Sequence, residues 1–138
     1  MDEEGMKDRT KQYALRIMRV VGELSGVRSV QSRVIADQLM RSGSSVAANY
    51  RAACRARSKA DFVSKLGIVE EEADETCLWM ELLTDSGMMD KERLDPLLRE
   101  GNELVAILVA SRKSAGIRTD RSKFKNQNSK IDSQRSKP

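Results

Sequence analysis

The groups in this chain that first suggest chemistry are its carboxylates and thiols, since its 138 residues contain no histidine. Without imidazole, the commonest general base and a frequent metal ligand are missing. The densest acidic run is Glu71-Glu72-Ala73-Asp74-Glu75, followed by Glu92-Arg93-Leu94-Asp95. Acidic pairs on two neighbouring helices are what Mg²⁺ requires, since that hard cation takes converging oxygens. The spacing argues against this use. Glu72 lies 13 residues before Asp85, where its helix is expected to end, about 20 Å along the axis at 1.5 Å per residue. Glu92 and Asp95 lie at the turn above, so the two pairs cannot share a metal. Glu100 and Glu103 are nearer in level, but they flank the apolar stripe of their helix and no helper Lys or Asn is obvious. Cys54 and Cys77 are 23 residues apart, form no C-x-x-C and have no histidine to activate them. Both are expected to be small packing residues with reduced thiols. No catalytic residue, metal site or cofactor is expected.

The elements that must position these groups are helices. Gly (8) and Pro (2) are too scarce for an all-β chain with many tight turns. No apolar run approaches a membrane span, and the charged start is unlike a signal peptide, so a cytoplasmic protein is expected. Tyr13, Ala14, Ile17, Val20, Val21 and Leu24 form one apolar stripe, predicting helix 1 over about 10–24 after a disordered N-terminus at 1–9. Helix 2, about 32–56, carries Ile35, Leu39, Val46, Tyr50 and Ala53, with small residues around Gly43 where the tightest helix contact is expected. Ser58 is the expected N-cap of helix 3, with Asp61 three residues on as a variant capping box. Phe62, Leu66, Val69, Ala73, Thr76, Met80 and Leu83 then alternate four- and three-residue steps, a heptad seam. A parallel stripe beside it widens the apolar face enough to need two neighbours. Helix 4 is expected from Asp95 as N-cap and Pro96 at the first helical position, to about Arg112. The fold class is therefore all-α, an up-down-up-down four-helix bundle over 10–113. Met88-Met89 is expected to be exposed at a loop.

Charge divides the chain. Residues 114–138 hold seven basic and two acidic residues, giving +5, and the rest holds 18 basic and 19 acidic, giving −1. Within that rest, 28–65 carries eight basic against two acidic, and 66–113 five against twelve. A basic element followed by an acidic one predicts neighbouring helices paired along their flanks. Folding helices 2 and 3 back about Ser58 sets Glu75 opposite Arg41 and Glu72 opposite Ser44 and Ser45, a structural ion pair of Arg41 with Glu72 or Glu75 that fixes register. The segment 114–138 has too few apolar residues to order itself and is read as a basic disordered tail, either contacting phosphates or simply solvated. The candidate nucleic-acid-binding residues are Arg51, Arg55, Arg57 and Lys59 around the helix 2–3 turn, with Arg118, Arg121, Lys123 and Lys125 in the tail. With no aromatic platform for bases, contact would be mainly to phosphates and sequence-tolerant.

Several motifs in order carry a resemblance. Arg41-Ser42-Gly43-Ser44-Ser45, Ala48-Asn49-Tyr50, Arg57-Ser58-Lys59-Ala60-Asp61-Phe62, Lys65-Leu66, Glu72-Ala73-Asp74-Glu75-Thr76 and Trp79-Met80-Glu81-Leu82-Leu83 resemble the bacterial four-helix-bundle family known as 23S ribosomal RNA intervening-sequence proteins. Glu100-Gly101-Asn102-Glu103-Leu104 continues it, while the basic tail lies outside it. The resemblance implies a homopentameric ring without an established enzymatic role. A related branch, the accessory variability determinant of diversity-generating retroelements, implies a basic barrel that binds a reverse transcriptase and nucleic acid. The expected function is thus a non-enzymatic, oligomeric scaffold that binds RNA or DNA through phosphates, accessory to such a reverse transcriptase. The alternative is an intervening-sequence-encoded bundle without nucleic-acid binding. The acidic pairs also resemble those of all-α nucleoside-triphosphate pyrophosphohydrolases, the Mg²⁺-dependent reading that the spacing disfavours.

Overall fold

A computed structural model describes the backbone of residues 2–135 and the side chains of residues 2–116. Four helices follow in order, α1 (Glu3–Leu24), α2 (Val30–Ala53), α3 (Lys59–Asp85) and α4 (Lys91–Arg135), with no strand among the described residues. Helices adjacent in sequence pack side by side, and α1 meets α4 to close the bundle, though this last seam is much the slightest. The core is a single column. Ile17, Leu39, Leu66, Met80 and Leu104 are fully buried and come from all four helices, each contributing about 1.5–3 kcal/mol on burial.

The helix ends follow local chemistry, and three differ from the sequence expectation. α1 starts at Glu3, so the segment read as a disordered N-terminus is helical from there. Asp2 caps it, its Oδ1 accepting from the Gly5 N–H at 2.7 Å, and Glu3 and Glu4 suit the positive end of the helix dipole. Met6 and Thr10 extend the buried stripe two turns beyond Tyr13. α2 is capped by Ser29, which accepts from the Ser32 N–H at 3.0 Å. α4 starts at Lys91 rather than around Pro96, because Leu94 is fully buried on the core face. The helix therefore carries a proline inside, which removes one backbone donor. α4 also continues to Arg135, past residue 113 where a disordered tail was expected. Lys, Arg and Gln are good helix formers, and extending an existing helix is far easier than nucleating one. The side chains of 117–138 lie outside the described residues.

α3 has the expected ends. Ser58 Oγ accepts from the Asp61 N–H at 3.0 Å, and Gly87, with φ of 81°, turns the chain after Ser86. Met88 and Met89 are half-buried against the core rather than exposed, because Met89 N–H reaches back to the Leu83 carbonyl at 3.2 Å.

Two glycines allow close approach. A methyl group at Gly43 would lie 2.8 Å from Ile17 Cγ2, fixing α1 against α2. One at Gly101 would lie 2.7 Å from both the Cys77 Sγ and the Tyr13 hydroxyl, where α1, α3 and α4 converge. The Tyr13 hydroxyl is buried and makes no hydrogen bond of good geometry. Its polar neighbour, the Cys77 sulfur, is a weak acceptor. An unmet buried hydroxyl is a liability, so Tyr13→Phe is expected to leave stability unchanged or raise it by about 1 kcal/mol. Urea unfolding checks this, and a clear loss would mean that the hydroxyl has a partner.

Candidate nucleic-acid interface

Arg51 ends α2, Arg55 and Arg57 lie on the connection, and Lys59 opens α3. All four side chains are exposed, and none of them forms an ion pair among the described residues. The connection itself is pinned. Asp61 accepts from the Arg57 backbone N–H at 3.3 Å and from Lys65 Nζ at 2.7 Å. Its carboxyl is held below the ordinary range, first by Lys65 and then by the Arg57 amide. The nearby acid is thus tied mainly to Lys65, with a weaker Coulombic pull from Arg57, and neither Arg55 nor Arg57 forms an ion pair among the described residues.

The antiparallel order places the α2–α3 turn at the same end as the start of α1 and the 107–113 stretch of α4. A cavity at this end is lined by Tyr50, Phe62, Leu66, Ile107 and Ser111. The chain beyond residue 113, with its +5 charge, therefore departs from the end that carries the four cations. Arg118, Arg121, Lys123 and Lys125 belong to that continuation, and their side chains lie outside the described residues.

Arg41 bridges α2 and α3. Its Nη1 donates to Glu72 at 3.1 Å, its Nη2 bonds Glu75, and its Nε donates to Gln38 at 3.0 Å. Trp79 Nε1 also donates to Glu75, at 3.2 Å. Beneath this surface pair, Thr76 Oγ1 donates to Ser42 Oγ at 2.9 Å inside the core. Arg41 is 47% exposed, so the pair sets register more than it adds stability. The hydrogen bond from Arg41 holds the Glu75 carboxyl below its ordinary range, with Trp79 helping. A carboxyl depressed in the folded state stabilises the fold above its unfolded pKa, and that contribution fades as pH falls through the folded value. Arg41→Ala is therefore expected to cost more at pH 7 than at pH 3, as denaturant unfolding at about those two values would measure. An equal cost at both would mean the pair is not formed in solution.

The α1–α4 seam is held by two arginine clamps that the sequence reading did not find. Arg9 donates through Nη2 to Glu100 at 3.2 Å and also pairs with Glu103 at 3.0 Å. Arg93 pairs with Glu23, its Nε 3.0 Å from Oε2. Arg9 lay in the segment expected to be disordered, which hid its partner. Arg9 and Glu100 are 19% and 21% exposed, so Arg9→Met, which leaves Glu100 half-buried and unpaired, is expected to cost roughly 1–2 kcal/mol. Thermal unfolding measures it, and no change would assign the seam to packing alone.

Four of the carboxylates that suggested a metal are engaged by arginines, Glu72 and Glu75 by Arg41, Glu100 and Glu103 by Arg9. Among the described residues no cluster of three or more metal-ligating side chains occurs. Burial pushes the Cys77 thiol up to about 12 and, with a contact from Glu3, the Cys54 thiol up to about 11. Both shifts favour the neutral thiol at neutral pH. No helix among the described residues is long and apolar enough to cross a membrane.

Comparison with known proteins agrees with this architecture. A crystal structure of a protein of unknown function from the S23 ribosomal protein family of Bacteroides thetaiotaomicron superposes with a TM-score of 0.71 at 34% identity. The match covers 78% of this chain and 98% of that one. No curated protein matches the chain. The sequence signature of the 23S rRNA-intervening sequence proteins matches residues 6–110, which spans all four helices of the bundle. The chain belongs to the 23S rRNA-intervening sequence protein family.

Proposed function

We propose that this protein is a non-enzymatic, oligomeric scaffold of the cytoplasm that binds RNA or DNA through phosphates. The observation that carries the reading is the set of unpaired cations Arg51, Arg55, Arg57 and Lys59, gathered at the end from which the basic continuation departs. Phosphate contacts of this kind give affinity without sequence information. A closed ring would repeat the patch in every subunit, so weak contacts add through multivalency. The finer proposal is a homopentamer accessory to the reverse transcriptase of a diversity-generating retroelement, the role suggested by the related branch and by the basic continuation.

Light scattering of the intact chain at micromolar concentration tests the assembly. The expected mass is a multiple of 15.5 kDa, with fivefold as the specific expectation, and a clean monomer contradicts it. A neighbouring gene for a reverse transcriptase, with template and variable repeats, is expected for the accessory role, and a position inside a ribosomal RNA gene would overturn it.

A further inference from the structure

The four seams of the bundle are not alike. Arg41 ties α2 to α3, Arg112 reaches Glu70 at 2.8 Å to tie α4 to α3, and Arg9 and Arg93 tie α1 to α4. Among the described residues the α1–α2 seam carries no ion pair between its helices. Its outer side is instead an open groove of about 540 Å³. The floor is made of Ala14, Ser44, Ala47 and Ala48, with Lys11 and Arg51 on the rims. Glu4 and Asp8 also line it, toward the start of α1, and Glu4 is taken by Lys7 at 3.1 Å. Lys11 and Arg51 are exposed and form no ion pair among the described residues. One turn along α1 from Lys11 and Ala14 stand Leu15 and Met18, 36% and 47% exposed.

α3 presents the complementary surface. Ile68, Leu78 and Leu82 are 43%, 49% and 40% exposed. They continue a heptad with Glu71 and Glu75, offset by two residues from the buried seam and so on the far side of the helix. A helix with a second apolar stripe opposite its core is built to meet another element. Glu71 lies within this stripe and Asp74 and Glu81 flank it, all three exposed and outside any ion pair among the described residues. The charge of the two surfaces is opposite. The charged residues lining the groove are Lys7, Lys11 and Arg51 against Glu4 and Asp8, a net +1, while Glu71, Asp74, Glu75 and Glu81 on and beside the stripe are all acidic.

We infer that the α1–α2 groove receives the outer stripe of α3 from a second copy of this chain. Small residues on the groove floor let a helix approach closely, and Ile68, Leu78 and Leu82 supply the apolar ridge. Lys11 and Arg51 meet Glu71 and Asp74 across the junction, which sets orientation and excludes the reversed pairing. Such a contact joins two different patches and is heterologous, so copies add head to tail until a ring closes. It draws Arg51 out of the cationic patch into the junction and leaves Arg55, Arg57 and Lys59 uncovered for phosphate. The inference rests on the oligomeric reading above and adds which faces form the interface.

Reversal of charge on each face tests it in the full-length chain. Lys11→Glu with Arg51→Glu sets carboxylates opposite Glu71 and Asp74, and Glu71→Lys with Asp74→Lys sets ammonium groups opposite Lys11 and Arg51. Each double variant is expected to fall to a mass near 15.5 kDa by light scattering, with unchanged helical circular dichroism. Mixing the two in equal amounts is expected to restore association, because every mixed junction pairs opposite signs. A ring of five would keep one like-charged junction, so the mixture is expected to give open chains or an even-numbered ring. Variants that stay as oligomeric as the parent, or a mixture that stays monomeric, overturn the assignment of these faces. A parent chain that is itself monomeric overturns the oligomeric reading as well, so the two failures are distinguishable.

Discussion

Gly43→Ala is expected to destabilise the bundle by roughly 1–2 kcal/mol, although alanine favours a helix over glycine by about 1 kcal/mol. The added methyl would meet Ile17 Cγ2 at 2.8 Å and its Cβ and Cγ1 at 3.0 Å. Ile17 is fully buried, and a β-branched side chain in a helix keeps essentially one χ1 rotamer. Its Cβ cannot swing aside, so α1 and α2 have to separate. Gly43→Leu is expected to cost more still. Gly22→Ala, where the methyl meets nothing within 4 Å, is the control and should stabilise. Denaturant midpoints of the three variants test the argument, and a Gly43→Ala as stable as the parent would show that the close approach is not a constraint.

Removing residues 114–138 is expected to reduce affinity for nucleic acid severely while leaving the bundle and its assembly intact. The segment carries seven basic residues, and among the described residues every buried core side chain precedes it. Each phosphate that is no longer neutralised makes the slope of log affinity against log salt shallower, by about 0.9 on duplex DNA and about 0.7 on a single strand. The truncated chain should therefore bind more weakly and with a shallower salt dependence. Arg55→Glu with Arg57→Glu should remove much of the remaining affinity, because both project from a pinned turn rather than from the core. Equal affinity with and without the segment would make it a solvated extension only.

The bundle was legible because its periodicity is continuous. The α3 seam from Leu66 to Leu83 is buried at each expected position, and Ser58 and Asp61 cap the helix at the expected place. The register of α2 on α3 was legible too, since folding about Ser58 placed Arg41 near Glu75. The start of α1 was missed because charged residues outnumber apolar ones over 2–9, and only Asp2 as a cap reveals the helix. The start of α4 was missed because Pro96 is a persuasive first helical residue, yet burial of Leu94 outweighs the missing backbone bond. The α1–α4 clamps and the α1–α2 groove were illegible for another reason. They join residues far apart in sequence, which periodicity along one helix does not reveal. Of the candidate binding residues, Arg51 to Lys59 are placed together by the turn, while the basic positions beyond residue 116 are known only from sequence.

The central claim is that this bundle protein holds nucleic acid by its phosphates, and titrating a labelled RNA and an unrelated DNA with the intact chain at two salt concentrations tests it most directly. Both ligands are expected to bind with similar affinity. With about six phosphates contacted on duplex DNA, that affinity should fall by roughly three orders of magnitude between about 50 and 200 mM salt. Absence of binding at the lower salt, or binding indifferent to salt, would contradict the account.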